Sequence, residues 1–213
     1  MVIATFGAEE WSEAAWSRAY PSANAARIPA SEIVIEHHPE ATLSEARNAA
    51  AASASGDWLC FLDADDELDP GYLTAMHMAF TLGAITSDWS PLLVPAVEYR
   101  TPLVDRPMAF PAVEEWQVQE PRIPQRGHWP SLNECVIGTL VRRERFEAVG
   151  GFREWPSLED YDLWIRCFDD GAQLVYVEAA VYRAFVNASG RNSDQSSYQA
   201  IWQEHLQRSG GRR

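Results

Sequence analysis

The chain has 213 residues, of which 46% are hydrophobic and 23% are charged, so it is long enough and apolar enough to bury one substantial core. Its 17 Lys and Arg residues stand against 31 Asp and Glu residues, which gives a formal net charge of −14. A surface this acidic repels polyanions at long range, and the charge therefore argues against a nucleic-acid-binding protein.

The first half of the chain alternates strand-like and helix-like segments, beginning β, α, β, α, β. This alternation is typical of helices that cover a mostly parallel sheet. Thr42 and Glu45 have the spacing of a capping box at the start of the second helix, and Pro70 is suited to open a third helix. The predicted strands are Val2–Phe6, Ile33–Ile35 and Trp58–Leu62, and the predicted helices are Glu9–Ala19, 43–54 and Gly71–Leu82.

The pattern weakens in the middle of the chain, because prolines recur between Ser90 and Pro130 and exclude long helices there. We predict short strands and irregular loops for this stretch. Beyond it, the predicted strands are Val136–Val141, Leu174–Val177 and Val181–Val186, and the predicted helices are Arg143–Val149, Leu158–Phe168 and Ser193–Arg208.

Four acids within Asp63–Glu67 directly follow the third predicted strand. That strand is apolar throughout, as a strand buried on both faces should be, so the acids lie at its carboxyl end. In open α/β sheets, ligands bind outside the carboxyl ends of the strands. Neighbouring carboxylates repel one another unless they share a cation. The alternative is a solvated acidic turn in which Asp69 caps the helix that follows Pro70.

Several segments around and beyond these acids form a recognisable series. They are Ala46–Asn48, Gly56–Asp66 with Pro70, Gly138-Thr139, Arg142-Arg143 with Phe146, Gly150–Phe152 and Glu159–Arg166. In order and spacing the series resembles the family 2 glycosyltransferases of the GT-A fold, over roughly Val2 to Arg183.

The resemblance implies a Rossmann-like, nucleotide-binding α/β fold with a mixed, mostly parallel sheet flanked by helices. We expect a single GT-A domain over 1–192 and a C-terminal helix and tail over 193–213. Within the domain, the nucleotide-sugar half would cover about 1–100 and the acceptor half about 101–192.

On the donor side, the resemblance implies a D-x-D motif that holds the ribose and a divalent metal, Mn²⁺ or Mg²⁺. Asp63 would then face the ribose across Ala64, and Asp65 would bind the metal with Asp66 as a substitute ligand. Arg47 would assist at the nucleotide or diphosphate, or else form a surface salt bridge with Glu45 or Glu36. The further nucleotide-sugar-binding positions implied are Thr5, Phe6 and Glu36.

On the acceptor side, Glu159 and Asp160 match the family's E-D motif at the start of a helix. The resemblance implies that Asp160 is the general base of an inverting sugar transfer and that Glu159 supports acceptor binding. Acids at a helix N-terminus are also common without any catalytic role. Among the tryptophans, whose rings can stack on sugars, Trp155 and then Trp129 are the acceptor-site candidates.

Two departures from the family pattern keep other functions open. Phe185 stands where many relatives have a metal-binding His, and Ile35–Pro39 replaces the usual Asp-Asp-Gly-Ser run near the base. A non-catalytic nucleotide-sugar-binding module is therefore one alternative. A nucleotidyltransferase is less favoured, since its phosphate loop should be Gly-rich and basic, whereas Phe6–Glu10 is acidic.

The implied partners are a UDP-, GDP- or dTDP-type sugar donor and an acceptor that is a protein, a small molecule or a glycan. No signal peptide and no membrane-spanning run is evident in the sequence, so we expect a cytoplasmic protein. Cys60, Cys135 and Cys167 lack the spacing of metal ligands and are predicted to be buried thiols.

Overall fold

A computed structural model describes residues 1–81, 90–102, 116–123, 130, 133–186 and 196–210. The strands are β1 (Val2–Phe6), β2 (Val34–His38), β3 (Trp58–Leu59), β4 (Glu67–Leu68), β5 (Leu92–Pro102), β6 (Trp116–Val118), β7 (Val141–Arg142) and β8 (Leu174–Phe185). The helices are α1 (Glu10–Ala14), α2 (Tyr20–Asn24), α3 (Leu43–Ser53), α4 (Tyr72–Ala79), α5 (Arg143–Ala148), α6 (Glu159–Asp169) and α7 (Tyr198–Gly210).

The N-terminal half of the sheet is parallel and is built on β1, whose first four residues are buried. On one side β1 pairs in parallel with β2, from Val2 opposite Val34 to Phe6 opposite His38. On the other side the Val2 amide donates to Cys60 O at 2.8 Å, and the Leu62 amide donates to Val2 O at 2.9 Å. The segment that leads into the acids therefore runs parallel to β1, as predicted.

The rest of the sheet is mixed. β3 pairs antiparallel with β7, and the adjacent Leu140 bridges to Leu93 of β5. β5 and β8 run in parallel, while β6 pairs antiparallel with β5 and β4 antiparallel with β8. The acidic segment lies between β3 and β4 and so connects the two halves of the sheet at the surface where a ligand is expected.

Two strand predictions are corrected by the structure. Instead of short strands and loops, the chain forms the eleven-residue β5, and Pro95 is tolerated because it lies at a register shift, where a missing amide costs little. The two strands predicted at Leu174–Val177 and Val181–Val186 are one strand, β8, which continues through that shift as a bulge.

The strand predicted at Val136–Val141 is also wrong, since within it Val141 alone belongs to a strand. The chain turns at Gly138, packed against Tyr182. A Cβ added to Gly138 would lie 2.2 Å from Tyr182 Cδ2, so the close approach requires glycine. The Gly138 carbonyl in turn accepts the hydroxyl proton of Tyr72.

The helices agree better with the sequence. Thr42 and Glu45 form the predicted capping box at the start of α3. The first helix is longer than predicted, since a π-helical turn over Ala15–Ala19 joins α1 to α2. This turn is followed by Tyr20 and then by Pro21, which has no amide to donate. The Tyr20 amide donates to Ala15 O.

The C-terminal helix α7 packs on α6. Ile201 of α7 is buried against Tyr161 and Ile165 of α6, and the Tyr161 and Tyr198 rings stack with centroids 5.6 Å apart. All three cysteines are buried and unpaired, as predicted. Whether 193–213 is a separate appendage, as the sequence suggested, stays a prediction.

Candidate functional site

The acidic segment forms a tight turn that is fixed to β8 through Asp66. The Asp66 amide donates to Asp63 O at 3.1 Å. The Asp66 carboxylate accepts the Tyr182 hydroxyl at 2.6 Å and the Phe185 amide at 2.8 Å. Both carboxylate oxygens of Asp66 therefore have protein donors, which gives this residue a structural role. The role of substitute metal ligand, expected for Asp66 from the sequence, stays a prediction.

Asp65 lies on the same turn and is partly exposed. Burial, and then the negative charge of Asp63, raise the pKa of Asp65 to about 6. Asp63 and Asp65 are neighbouring carboxylates that a shared cation would stabilise, and their hard oxygen atoms suit Mg²⁺ or Mn²⁺. The donor set thus fits such an ion. Within the described ranges, no group of three or more His, Cys, Asp or Glu residues could hold a metal alone.

The acidic turn is connected to α6 through Arg47 of α3. The Arg47 side chain is 4% exposed, and its Nη2 donates to Asp63 Oδ1 at 2.5 Å while its Nη1 donates to Glu159 Oε1 at 2.7 Å. Burial alone would lower the pKa of Arg47, but Asp63 and Glu159 raise it above its ordinary value. The sequence alternative of a surface salt bridge with Glu45 or Glu36 is wrong, since Arg47 is buried in the site.

Asp160, the expected base, lies beside Glu159 in the first turn of α6. Burial and then the Glu159 carboxylate raise the pKa of Asp160 to about 7, against the opposing effect of Arg47. Asp160 Oδ1 accepts the Tyr161 amide at 2.7 Å. A carboxylate with a pKa near 7 is well matched to taking a proton from a hydroxyl at neutral pH.

The backbone just before α6 is unusual. Leu158 has φ +62°, and it is the one non-glycine residue with positive φ among the described residues. This conformation costs roughly 1–2 kcal/mol for an L-residue. Strained residues of this kind concentrate at functional sites, which supports the candidate role of the turn into Glu159.

Thr5, Phe6 and Glu36 come together at the carboxyl ends of β1 and β2. Thr5 Oγ1 lies 3.4 Å from Glu36 O and 2.9 Å from His37 Nδ1. The Glu36 carboxylate lies 2.9 Å from His38 Nε2. His37 and His38 both lie in β2 and are half-buried. The assignment of these residues to nucleotide binding stays a prediction.

Two tryptophans were predicted for the acceptor site. The structure describes Trp155, whereas Trp129 lies outside the described residues. Trp155 packs in the cluster between α6 and α7, with the Arg153 guanidinium 5.6 Å from its ring. Its indole nitrogen is buried and has no hydrogen-bond partner among the described residues. Acceptor binding by Trp155 therefore stays a prediction beside this packing role.

The sequence matches the family model described as "Glycosyl transferase family 2" over residues 24–150. That match covers more than half of the chain. The chain belongs to glycosyl transferase family 2. The resemblance inferred from the motifs is therefore confirmed, although no curated protein gives a significant match to this family 2 sequence.

Solved structures with the same fold include Staphylococcus aureus TarS. The TarS 1-349 complex with UDP-GlcNAc has a TM-score of 0.65 and 12% identity, over 97% of this chain and 65% of that chain. The TarS 1-349 complex with UDP has a TM-score of 0.63 and 13% identity, over 97% of this chain and 64% of that chain. The chain thus has the expected GT-A fold, and it spans less than two thirds of the TarS chain.

Sequence reasoning singled out Phe185, which lies at the end of β8, but missed the side chains around its ring. The Arg18 Cζ is 4.1 Å and the Arg100 Cζ 5.3 Å from the Phe185 ring centroid. Trp116 packs edge-on against the same ring with centroids 4.9 Å apart. Arg18 is a single charge in a helical pattern, and no sequence motif marks it.

Tyr99 of β5 was missed as well. Its pKa is raised, first by burial and also by the charges of Asp66 and Asp160, while Arg122 opposes the shift. Tyr99 therefore lies within electrostatic reach of both the acidic turn and the candidate base. No helix in the described part of the chain is long and apolar enough to cross a bilayer.

Proposed function

We propose that the chain is an inverting glycosyltransferase that moves a sugar from a UDP-type donor to an acceptor hydroxyl. One observation carries this proposal: Arg47 bonds both Asp63 of the acidic turn and Glu159, the neighbour of Asp160. The residue expected to face the donor therefore shares a guanidinium with the residue next to Asp160, whose pKa is about 7. The choice of UDP is supported by the TarS structures in complex with UDP-GlcNAc and with UDP.

In this proposal Asp160 takes the proton from the acceptor hydroxyl. The acceptor oxygen then attacks the anomeric carbon on the face opposite the diphosphate, so one C–O bond forms as the other breaks with inversion. The bonding electrons leave with the nucleoside diphosphate. Burial of Asp160 keeps it protonated until the pH approaches 7 and makes its conjugate base strong enough for this step.

The leaving diphosphate develops charge that a chain with net charge −14 does not balance on its surface. Asp65 would hold Mn²⁺ or Mg²⁺ and Asp63 would face the ribose, and the bound ion would supply positive charge to the departing diphosphate. Arg47 offsets one of the two negative charges of Asp63 and Glu159, which lessens the repulsion between the acidic site and an anionic donor.

The test is UDP release from a panel of UDP-sugars in the presence of Mn²⁺, followed for the wild type and for Asp160→Asn. We expect slow donor hydrolysis by the wild type, and we expect the variant to bind UDP without releasing it from donors. Binding of UDP with no turnover by the wild type on any donor or acceptor would favour the non-catalytic module. Absence of both binding and turnover would overturn the proposal.

A further inference from the structure

Two arginine side chains lie at the end of β8, and the proposed reaction assigns no role to either. Arg18 comes from the π-helical turn, Arg100 from β5 and Phe185 from β8, and the two guanidinium groups lie within 6 Å of the centroid of one ring. Two segments that are distant in sequence thus place positive charge over a ring from a third, in a chain whose net charge is −14.

The two arginines are not equivalent. Arg100 Nε donates to Glu98 Oε1 at 2.7 Å, and Arg100 Nη1 lies 4.0 Å from Glu67 Oε2. Arg100 is therefore held near two carboxylates, of which Glu98 also lies 3.3 Å from Arg183 Nε. Arg18 instead reaches the acidic turn, where its Nη1 donates to the backbone oxygen of Asp65 at 3.0 Å.

The position of Arg18 matters because of what surrounds it. Its guanidinium lies over the Phe185 ring and bonds the backbone of Asp65, whose side chain is partly exposed. The Phe185 ring offers no atom that could bind a cation by coordination. Arg18 supplies fixed positive charge at this point, with its planar array of phosphate-binding donors.

We infer that Arg18 binds the diphosphate of the sugar donor directly, and that the Phe185 ring positions its guanidinium for that contact. This inference rests on the proposed function, since it names a further contact of the same donor. Arg18 would add charge-assisted hydrogen bonds to the diphosphate beyond whatever a bound divalent ion supplies. It should therefore contribute to binding of any diphosphate, including one measured without metal, and little to binding of a monophosphate.

The experiment measures binding of UDP, UMP and inorganic pyrophosphate by calorimetry, in EDTA, to the wild type, to Arg18→Gln and to Arg27→Gln. Arg27 is exposed on the loop after α2 and is the matched control. We expect Arg18→Gln to weaken UDP and pyrophosphate about tenfold, the size of one lost charge-assisted contact, and to leave UMP nearly unchanged. Arg27→Gln should bind all three like the wild type.

Equal pyrophosphate affinity of the wild type and Arg18→Gln, or no pyrophosphate binding by the wild type in EDTA, overturns the inference. A uniform loss for all three ligands also overturns it, because that result indicates a structural role. Pyrophosphate binding that depends on Arg18, without any UDP binding, would support the inference while contradicting the proposed donor.

A second measurement does not depend on the variant folding. Arginines of the wild type are modified with a dicarbonyl reagent, with and without pyrophosphate, and the peptides are identified by mass spectrometry. We expect pyrophosphate to protect Arg18 and to leave the modification rate of Arg27 unchanged. An unchanged rate at Arg18 under saturating pyrophosphate overturns the inference.

Discussion

Arg47 and Glu159 are separated by 112 residues in sequence and form a buried ion pair, with Nη1 2.7 Å from Oε1. The pair joins α3, on the donor side of the fold, to the first turn of α6. Because Arg47 also bonds Asp63, one guanidinium fixes the relative position of the acidic turn and the candidate base.

Replacing Arg47 should therefore damage stability as well as activity. We expect Arg47→Ala to lose about 3–5 kcal/mol of unfolding free energy, because Asp63 and Glu159 would keep their charges without a partner. Arg47→Lys should lose less, since it retains the charge but not the two-pronged geometry. Urea unfolding measures both, with Arg27→Ala as the control, expected within about 0.5 kcal/mol of the wild type. A similarly small change in Arg47→Ala would contradict the buried bridge.

Asp160 should set the pH dependence of the reaction. Its carboxylate acts as a base only when ionised, and its pKa is about 7. We expect kcat/KM to rise as the pH increases through about 7 and then to level off. Asp160→Asn should lower kcat by at least about 10²-fold and retain UDP binding. A profile that is flat between pH 5 and 9 would show that another group takes the proton.

The same pKa predicts a stability effect of opposite sign. The folded state of Asp160 binds its proton more tightly than the unfolded state, whose carboxyl has a pKa near 3.8. Stability is therefore highest below the unfolded pKa and falls as the pH rises through about 7. Asp160→Asn removes the charge, so we expect its Tm at pH 8 to exceed that of the wild type, by about 2–4 °C for each kcal/mol regained. An equal or lower Tm at pH 8 would argue that Arg47 fully compensates the buried charge.

Asp65 and Asp66 should respond differently to the same substitution, although they are adjacent. Asp66→Ala removes the acceptor of the Tyr182 hydroxyl and the Phe185 amide and should cost about 1–3 kcal/mol for each donor left unpaired. Asp65→Ala should keep wild-type stability and lose the Mn²⁺-dependent part of UDP binding. Thermal unfolding and calorimetry on the two variants separate these effects. Intact metal-dependent binding in Asp65→Ala would return Asp66 to consideration as the ligand.

Gly138 should be sensitive to a single methyl group. The added Cβ of Gly138→Ala would meet the Tyr182 ring, which bonds Asp66, so we expect a loss of about 1–3 kcal/mol together with weaker donor binding. Gly210→Ala is the control, because its added Cβ meets no atom within 4 Å. If both variants unfold at the wild-type urea concentration, the close approach to Tyr182 does not constrain the site.

Local signals made the parallel half of the fold predictable. The buried residues of β1 and the capping box of α3 each depend on neighbours within a few positions. β5 could not be predicted, because a proline at position 95 indicates a break in the strand. The register shift at which Pro95 is tolerated is apparent only in the structure. Its partner β8 was split for the same reason, since the bulge interrupts the alternation.

The candidate site residues that belong to sequence motifs could be predicted. Those that are brought together by contacts between distant segments could not. The acidic turn and Asp160 follow from their motifs. The partner of Arg47 does not, because Glu45 is close in sequence and Glu159 is 112 residues away. Arg18 carries no motif, and its place beside Phe185 depends on how β8 meets the first helix.

The bulge in β8 also bears on how the chain can vary in length. Three residues, 178–180, intervene where Pro95 and Ala96 of β5 are consecutive, and Glu178 and Ala179 are exposed. An insertion there changes the size of the bulge and leaves the strand beyond it in register. A one-residue insertion between Tyr182 and Phe185 would instead turn Phe185 to the opposite face and break its bond to Asp66. Length variation in this strand should therefore be confined to its first two thirds.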